Sequence, residues 1–152
     1  MKTVLFVCTG NTCRSPMAEG ILSSTLGTEA QVSVVSAGVA AMPGQPASRG
    51  TSEVLKKKGA NLNSFKSQQV HQTLAEEADL IIAMSESHAD ALRRMLPSVS
   101  SKLNLLTDFI DPSEGLVGAD VPDPFGMSSE AYEAVAEVID LAIPGIQTAL
   151  QD

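Results

Sequence analysis

VLFVCTGNTCRSPMAEG, residues 4–20, opens on four consecutive apolar residues, turns through Gly10 and Asn11, and resumes with Arg14, Ser15 and Pro16. An unbroken apolar run fits a strand covered on both faces, because a strand with one wet face would alternate. Gly10 and Asn11 suit the positive φ of a tight loop. The spacing then predicts a helix from about Ser15, with Pro16 in its first turn and Met17, Ile21, Leu22 and Leu26 on one stripe before Gly27. The stretch reads strand, loop, helix, with Cys8 at the strand's carboxyl end.

The same alternation continues along the chain. Residues 32–35 read as a second strand running into Ser36-Ala37-Gly38, and a loop marked by Pro43, Gly44 and Pro46 leads to a polar helix over 47–58 that stops at Gly59. Residues 79–84 repeat the buried-strand pattern. Ser85 can cap a helix that ends before Pro97, and 103–106 supply a fourth, shorter strand. After a loop holding Asp108, Asp111, Asp120 and Asp123, residues 129–150 place Val135, Val138, Ile139, Ala142 and Ile146 on a helical stripe that Pro144 is expected to kink. Strands alternating with helices imply a parallel sheet flanked by helices, with ligands bound beyond the carboxyl ends of the strands. The Cys8 loop lies at such an end.

Composition sets bounds on what this site serves. The 152 residues, 43% of them hydrophobic, suit a single domain, 1–152, with its own core. A formal charge of −8 argues against nucleic acid or an anionic membrane as partner, so any basic site must be local. Two cysteines make no disulfide framework, and the apolar run ending at Cys8 is too short for a signal or membrane segment. A reducing, cytoplasmic setting is the expectation. The lysines at 56–58 read as a favourable helix C-terminus. His71 and His88, in polar surroundings, read as surface residues, and Asp108, Asp111 and Asp120 as solvated loop carboxylates.

Cys8, with arginine six residues on, can have backbone N–H groups wrapped around one centre by the loop of Thr9, Gly10, Asn11, Thr12 and Cys13. Such a nest attracts an oxyanion; the following helix adds its positive end, and Arg14 offers a planar fork for two phosphate oxygens. The same field favours Cys8 as a thiolate nucleophile, and Ser15 can donate a hydrogen bond to its sulfur. Cys13 has two readings: a small buried hydrophobe, or a reversible disulfide partner for Cys8 under oxidation.

These residues carry a resemblance. The stretch from Cys8 to Pro16, with Val7 before it, resembles the amino-terminal hallmark V-C-x-G-N-x-C-R-S-P of the low-molecular-weight protein-tyrosine-phosphatase family. Asp123-Pro124-Phe125 matches that family's D-P-[FYW] motif near the carboxyl terminus, and Ser36-Ala37-Gly38 and Ala83-Met84 match further landmarks. The resemblance implies a four-stranded parallel sheet with helices on both faces, phosphorylated proteins as substrates, a cysteinyl-phosphate intermediate, and no metal or organic cofactor; a monomer is expected. Carried over, Cys8 attacks phosphorus, and Arg14 with the amides of Thr9 to Ser15 stabilises the transferring phosphoryl group. Asp123, which alone would read as a turn residue before proline, protonates the leaving atom and then serves as base for water.

Specificity rests on the position four after the nucleophile, which in this family faces the leaving group. Tyrosine-directed members usually carry Ile or Leu there; this chain has Thr12. Thr12 together with the Asp123-Pro124-Phe125-Gly126 loop resembles the protein-arginine-phosphatase branch, because a hydroxyl and nearby carboxylates suit a guanidinium better than an aliphatic does. The loop after Gly38 lacks the aromatic residue that many tyrosine-directed relatives place at the pocket wall, whereas Phe125 can flank either group. Protein-arginine phosphatase is the first reading and protein-tyrosine phosphatase the alternative. Thioredoxin-coupled arsenate reductases share the loop but need downstream cysteines, and none follows Cys13. A non-catalytic phosphate-binding module would have no need of both Cys8 and Asp123. Residues 63–67 lack a histidine with which many relatives support the phosphate loop.

Overall fold

In a computed structural model of the chain, residues 1–62 and 64–152 are described. Asn63, the first residue of the histidine-lacking stretch, lies outside them. The elements are β1 (Lys2–Cys8), α1 (Arg14–Leu26), β2 (Val32–Gly38), α2 (Arg49–Lys57), α3 (Gln72–Glu77), β3 (Leu80–Ala83), α4 (Glu86–Met95), β4 (Leu103–Leu105) and α5 (Ser129–Gln151), with short 3₁₀ turns on either side of β4. The strands form a parallel sheet in the order β2-β1-β3-β4.

Period-two alternation along β1 divides the core in two. Val4, Phe6 and Cys8 join the cluster of α1, α2 and α5, while Leu5 and Val7 face the opposite cluster around α3 and α4. Each fully buried large side chain contributes about 1.5–3 kcal/mol, so both layers hold β1 in the centre. Because the chain leaves β1 toward β2 on one side and reaches β3 on the other, the carboxyl end of β1 is the topological switch point. Cys8 pairs in register with Gly38, and Val7 with Ala83, which brings three strand exits to one edge.

Several expectations change in detail. The second helix starts at Arg49 and not at 47, because the Ser48 side chain accepts the Thr51 N–H and caps it. α3 is absent from the sequence reading: six residues with only Ala75 buried are too short to show a helical period. α5 continues through Pro144, and Gly145 beside it allows close packing, since a Cβ there would collide with the Phe109 carbonyl. The lysine run does more than cap α2: Lys57 pairs with Glu133 at 2.8 Å and Lys58 with Asp140 at 2.6 Å, tying α2 to α5.

Candidate active site

The site is built on the exit from β1. Thr9 carries on past the strand end with its carbonyl accepting the Ala40 N–H at 3.0 Å, an approach open only because residue 38 is glycine; a Cβ there would strike the Thr9 oxygen. The tight turn falls on Asn11 alone, at φ 57°, and Gly10 does not share the left-handed conformation expected of both. Asn11 tolerates it because its amide is fully engaged. Its Oδ1 accepts the Gln68 N–H at 2.9 Å, which fixes the amide orientation, and Nδ2 donates to Ser15 Oγ and Ser36 Oγ, each at 2.9 Å. The Ser36 hydroxyl in turn donates to Glu19 Oε1 at 2.7 Å. Burial pushes the Glu19 carboxyl up, and the Ser36 hydrogen bond offsets part of that rise.

Ser15 stands between the Asn11 amide and Cys8. Its oxygen already accepts from Asn11, so its proton is available to Cys8 Sγ, 2.9 Å away. Asn11 and Ser15 are buried beneath the loop, whereas Cys8, Thr9, Gly10, Thr12, Cys13 and Arg14 line a cleft of about 230 Å³ whose far wall is Asp123 and Phe125. A larger cavity of about 640 Å³, beside Leu55, Ala60 and Phe65, contains none of these groups.

Arg14 is only 7% exposed. Its Nη1 donates to the Val121 carbonyl at 3.0 Å, and Nη2 lies 3.7 Å from Asp123 Oδ2, so one guanidinium spans the 107 positions between loop and acid segment. Asp123 remains more than half exposed and its Oδ1 accepts the Phe125 N–H at 3.1 Å, an Asx turn that aims the carboxylate while leaving Phe125 in solvent. Cys13 is buried, with its sulfur 3.4 Å from the Tyr132 hydroxyl, and both cysteines are free.

His88 corrects the sequence reading: it is 3% exposed, not a surface residue. Its ring bridges Thr9 Oγ1 at 2.7 Å and Ser85 Oγ at 2.8 Å. Burial, and next the Arg14 charge, lower its pKa to about 4, against a partial pull upward from Asp120 and Asp123. A helical stripe of His88, Ala89 and Leu92 carried the signal for this. His71 is exposed, as expected, and caps α3 through Nδ1. The loop carboxylates are also at work: Asp108 accepts the Leu105 N–H, Asp111 the Ser113 N–H and Asp120 the Glu86 N–H.

The model of the family "Low molecular weight phosphotyrosine protein phosphatase" matches residues 3–152. The chain belongs to this family. Within it, the chain is 36% identical over 148 residues to a protein-arginine-phosphatase of Geobacillus stearothermophilus, covering 97% of this chain and 95% of that one. It is also 34% identical over 156 residues to the low molecular weight protein-tyrosine-phosphatase YfkJ of Bacillus subtilis, covering 99% and 97%. Among solved structures, a YwlE arginine phosphatase whose active-site cysteine is replaced by a phosphorylated serine superposes with a TM-score of 0.87, at 34% identity, over 99% of this chain and 96% of that one. The protein is thus a phosphoprotein phosphatase of the low molecular weight family, and the family's parallel-sheet fold is the one observed. No helix among the described residues is long and apolar enough to cross a membrane.

Proposed function

We propose that the protein removes phosphate from phosphoarginine in other proteins through a phosphocysteine intermediate. Thr12 in the wall of the cleft is the observation that carries this reading. The Cys8 sulfur attacks phosphorus while the amides of residues 9–15 and Arg14 hold the phosphoryl oxygens; the S–P bond forms, the P–N bond breaks, and Asp123 gives its proton to the departing guanidino nitrogen. Water then attacks phosphorus with Asp123 as base. The S–P electron pair returns to Cys8, whose anion the Ser15 hydroxyl at 2.9 Å stabilises. The two steps use one set of groups, so neither metal nor organic cofactor enters.

A polar Thr12 suits the guanidinium, and the Arg14–Asp123 separation of 3.7 Å is short enough for acid and phosphate ligand to serve one substrate. Exposed Phe125 at the mouth, and the similarity to YfkJ, favour a second reading as protein-tyrosine phosphatase. Relative kcat/KM for phosphoarginine and phosphotyrosine peptides separates the two. Thr12→Ile should shift that ratio toward phosphotyrosine by roughly ten- to two-hundred-fold, the effect of about 1–3 kcal/mol from one methylene-sized group. A wild-type preference for phosphotyrosine, unchanged by Thr12→Ile, would overturn the arginine assignment.

Asp123→Asn should slow phosphoarginine hydrolysis by about 10²-fold but an activated aryl phosphate much less, because a good leaving group needs little protonation. Equal losses on both substrates would remove Asp123 from the acid role. The same proposal has residues 1–152 acting as one domain, which the continuous sheet supports, and in the cytoplasm, which the free thiols of Cys8 and Cys13 suit; a monomer is part of the same reading.

A further inference from the structure

The Thr9 side chain stands at an exposed position, where a hydroxyl is ordinarily left to water, yet its oxygen lies 2.7 Å from a buried imidazole. That imidazole belongs to His88 in the first turn of α4, across the sheet edge from the phosphate loop. At its other end Nδ1 meets Ser85 Oγ at 2.8 Å, and Ser85 in turn caps α4 and contacts Ser87 Oγ at 3.0 Å. A neutral ring offers one donor and one acceptor, and a hydroxyl can take either complementary role, so both bonds form in either tautomer. Burial and the neighbouring Arg14 keep the ring neutral near pH 7, which adds no second cation beside the phosphate ligand.

Thr9 is therefore held from two sides. Its carbonyl is fixed by Ala40 N–H at the exit of β2, and its hydroxyl by α4. The residue so clamped is joined by a peptide bond to Cys8, and the His88 contact is separate from the Asn11–Ser15–Ser36 network, sharing no residue with it. We infer that His88 is a positioning residue: through the Thr9 hydroxyl it sets the direction of the first peptide of the phosphate loop and hence the line of attack of Cys8. Its ring hydrogen-bonds to Thr9 and Ser85 and not to the Cys8 sulfur. The inference rests on the Cys8 mechanism above but not on the choice between phosphoarginine and phosphotyrosine.

An aryl phosphate assay tests it, with inorganic phosphate as competitive probe and folded fraction measured by thermal melting. His88→Ala should lower kcat by about ten- to thirty-fold while the Ki of inorganic phosphate rises by no more than about threefold, because misdirected attack costs rate while only the first of the oxygen-binding amides moves. Thr9→Val should show the same split, and the double variant should lose no more than the worse single one. His88→Gln, whose amide reaches the place of the imidazole Nε2, should restore much of kcat. Additive losses, a Gln variant no better than Ala, or kcat per folded molecule equal to wild type would overturn the inference. If His88→Ala does not fold, a Thr9→Ser variant several-fold faster than Thr9→Val supports it, and equal rates for the two overturn it. Activity that survives Cys8→Ser would instead condemn the underlying mechanism, so the two failures are distinguishable.

Discussion

Cys8→Ser is expected to lower turnover by about 10⁴-fold or more while inorganic phosphate still binds. The cradle does not depend on sulfur: Asn11 stays locked by Gln68, Ser36 and Ser15, and Arg14 by Val121. What changes is the nucleophile, since a serine hydroxyl is far less ionised than a thiol at neutral pH. The second step suffers as well. An alkoxide leaves phosphorus more reluctantly than a thiolate, so a phosphoryl group that did reach Ser at position 8 would remain there, visible by intact mass. Initial rates beside calorimetric phosphate binding provide the check, and near-normal turnover would remove Cys8 from the reaction.

Arg14→Lys carries the next largest effect, a loss of about 10²–10³-fold in kcat/KM. The arginine is buried and has two simultaneous tasks: one terminal nitrogen holds the Val121 carbonyl at the base of the acid segment, and the other lies near Asp123 at the cleft. A lysine ammonium is a single point and cannot keep the carbonyl while presenting a planar fork to two phosphate oxygens. Steady-state kinetics on an activated aryl phosphate isolate this effect from the acid step. A loss below about tenfold would make Arg14 a strut for the Val121 segment and not a ligand of the phosphoryl group.

The opening strand, loop and helix were legible because each is written locally, as an apolar run, a turn pair and a proline at a helix start. Distance along the chain obscured the rest. Nothing in the spacing joins Arg14 to Asp123; only the family resemblance paired them, and the fold then brings the two segments together at the edge of the sheet. His88 was misread because Ser85, Glu86 and Ser87 around it are polar, although helical geometry turns it to the same side as Ala89 and Leu92. The missing histidine in 63–67 suggested a less supported loop. The support comes from the Asn11 amide and the Ser36–Glu19 pair, residues whose partnership depends on β2 lying beside β1.

The Gln68 N–H that fixes the Asn11 amide also gives the loop a chemical polarity. A peptide N–H can only donate, so Asn11 must present nitrogen on its other side, Ser15 receives that hydrogen, and when Cys8 is a thiolate the last hydrogen in the series points at its sulfur. The alignment is one-way and is set by a backbone atom that cannot change its mind with pH. Exchange a single nitrogen for oxygen, as hydrolysis of the Asn11 side chain to aspartate would, and the series runs backward: Ser15 turns its hydrogen to the new carboxylate and the sulfur is left without it.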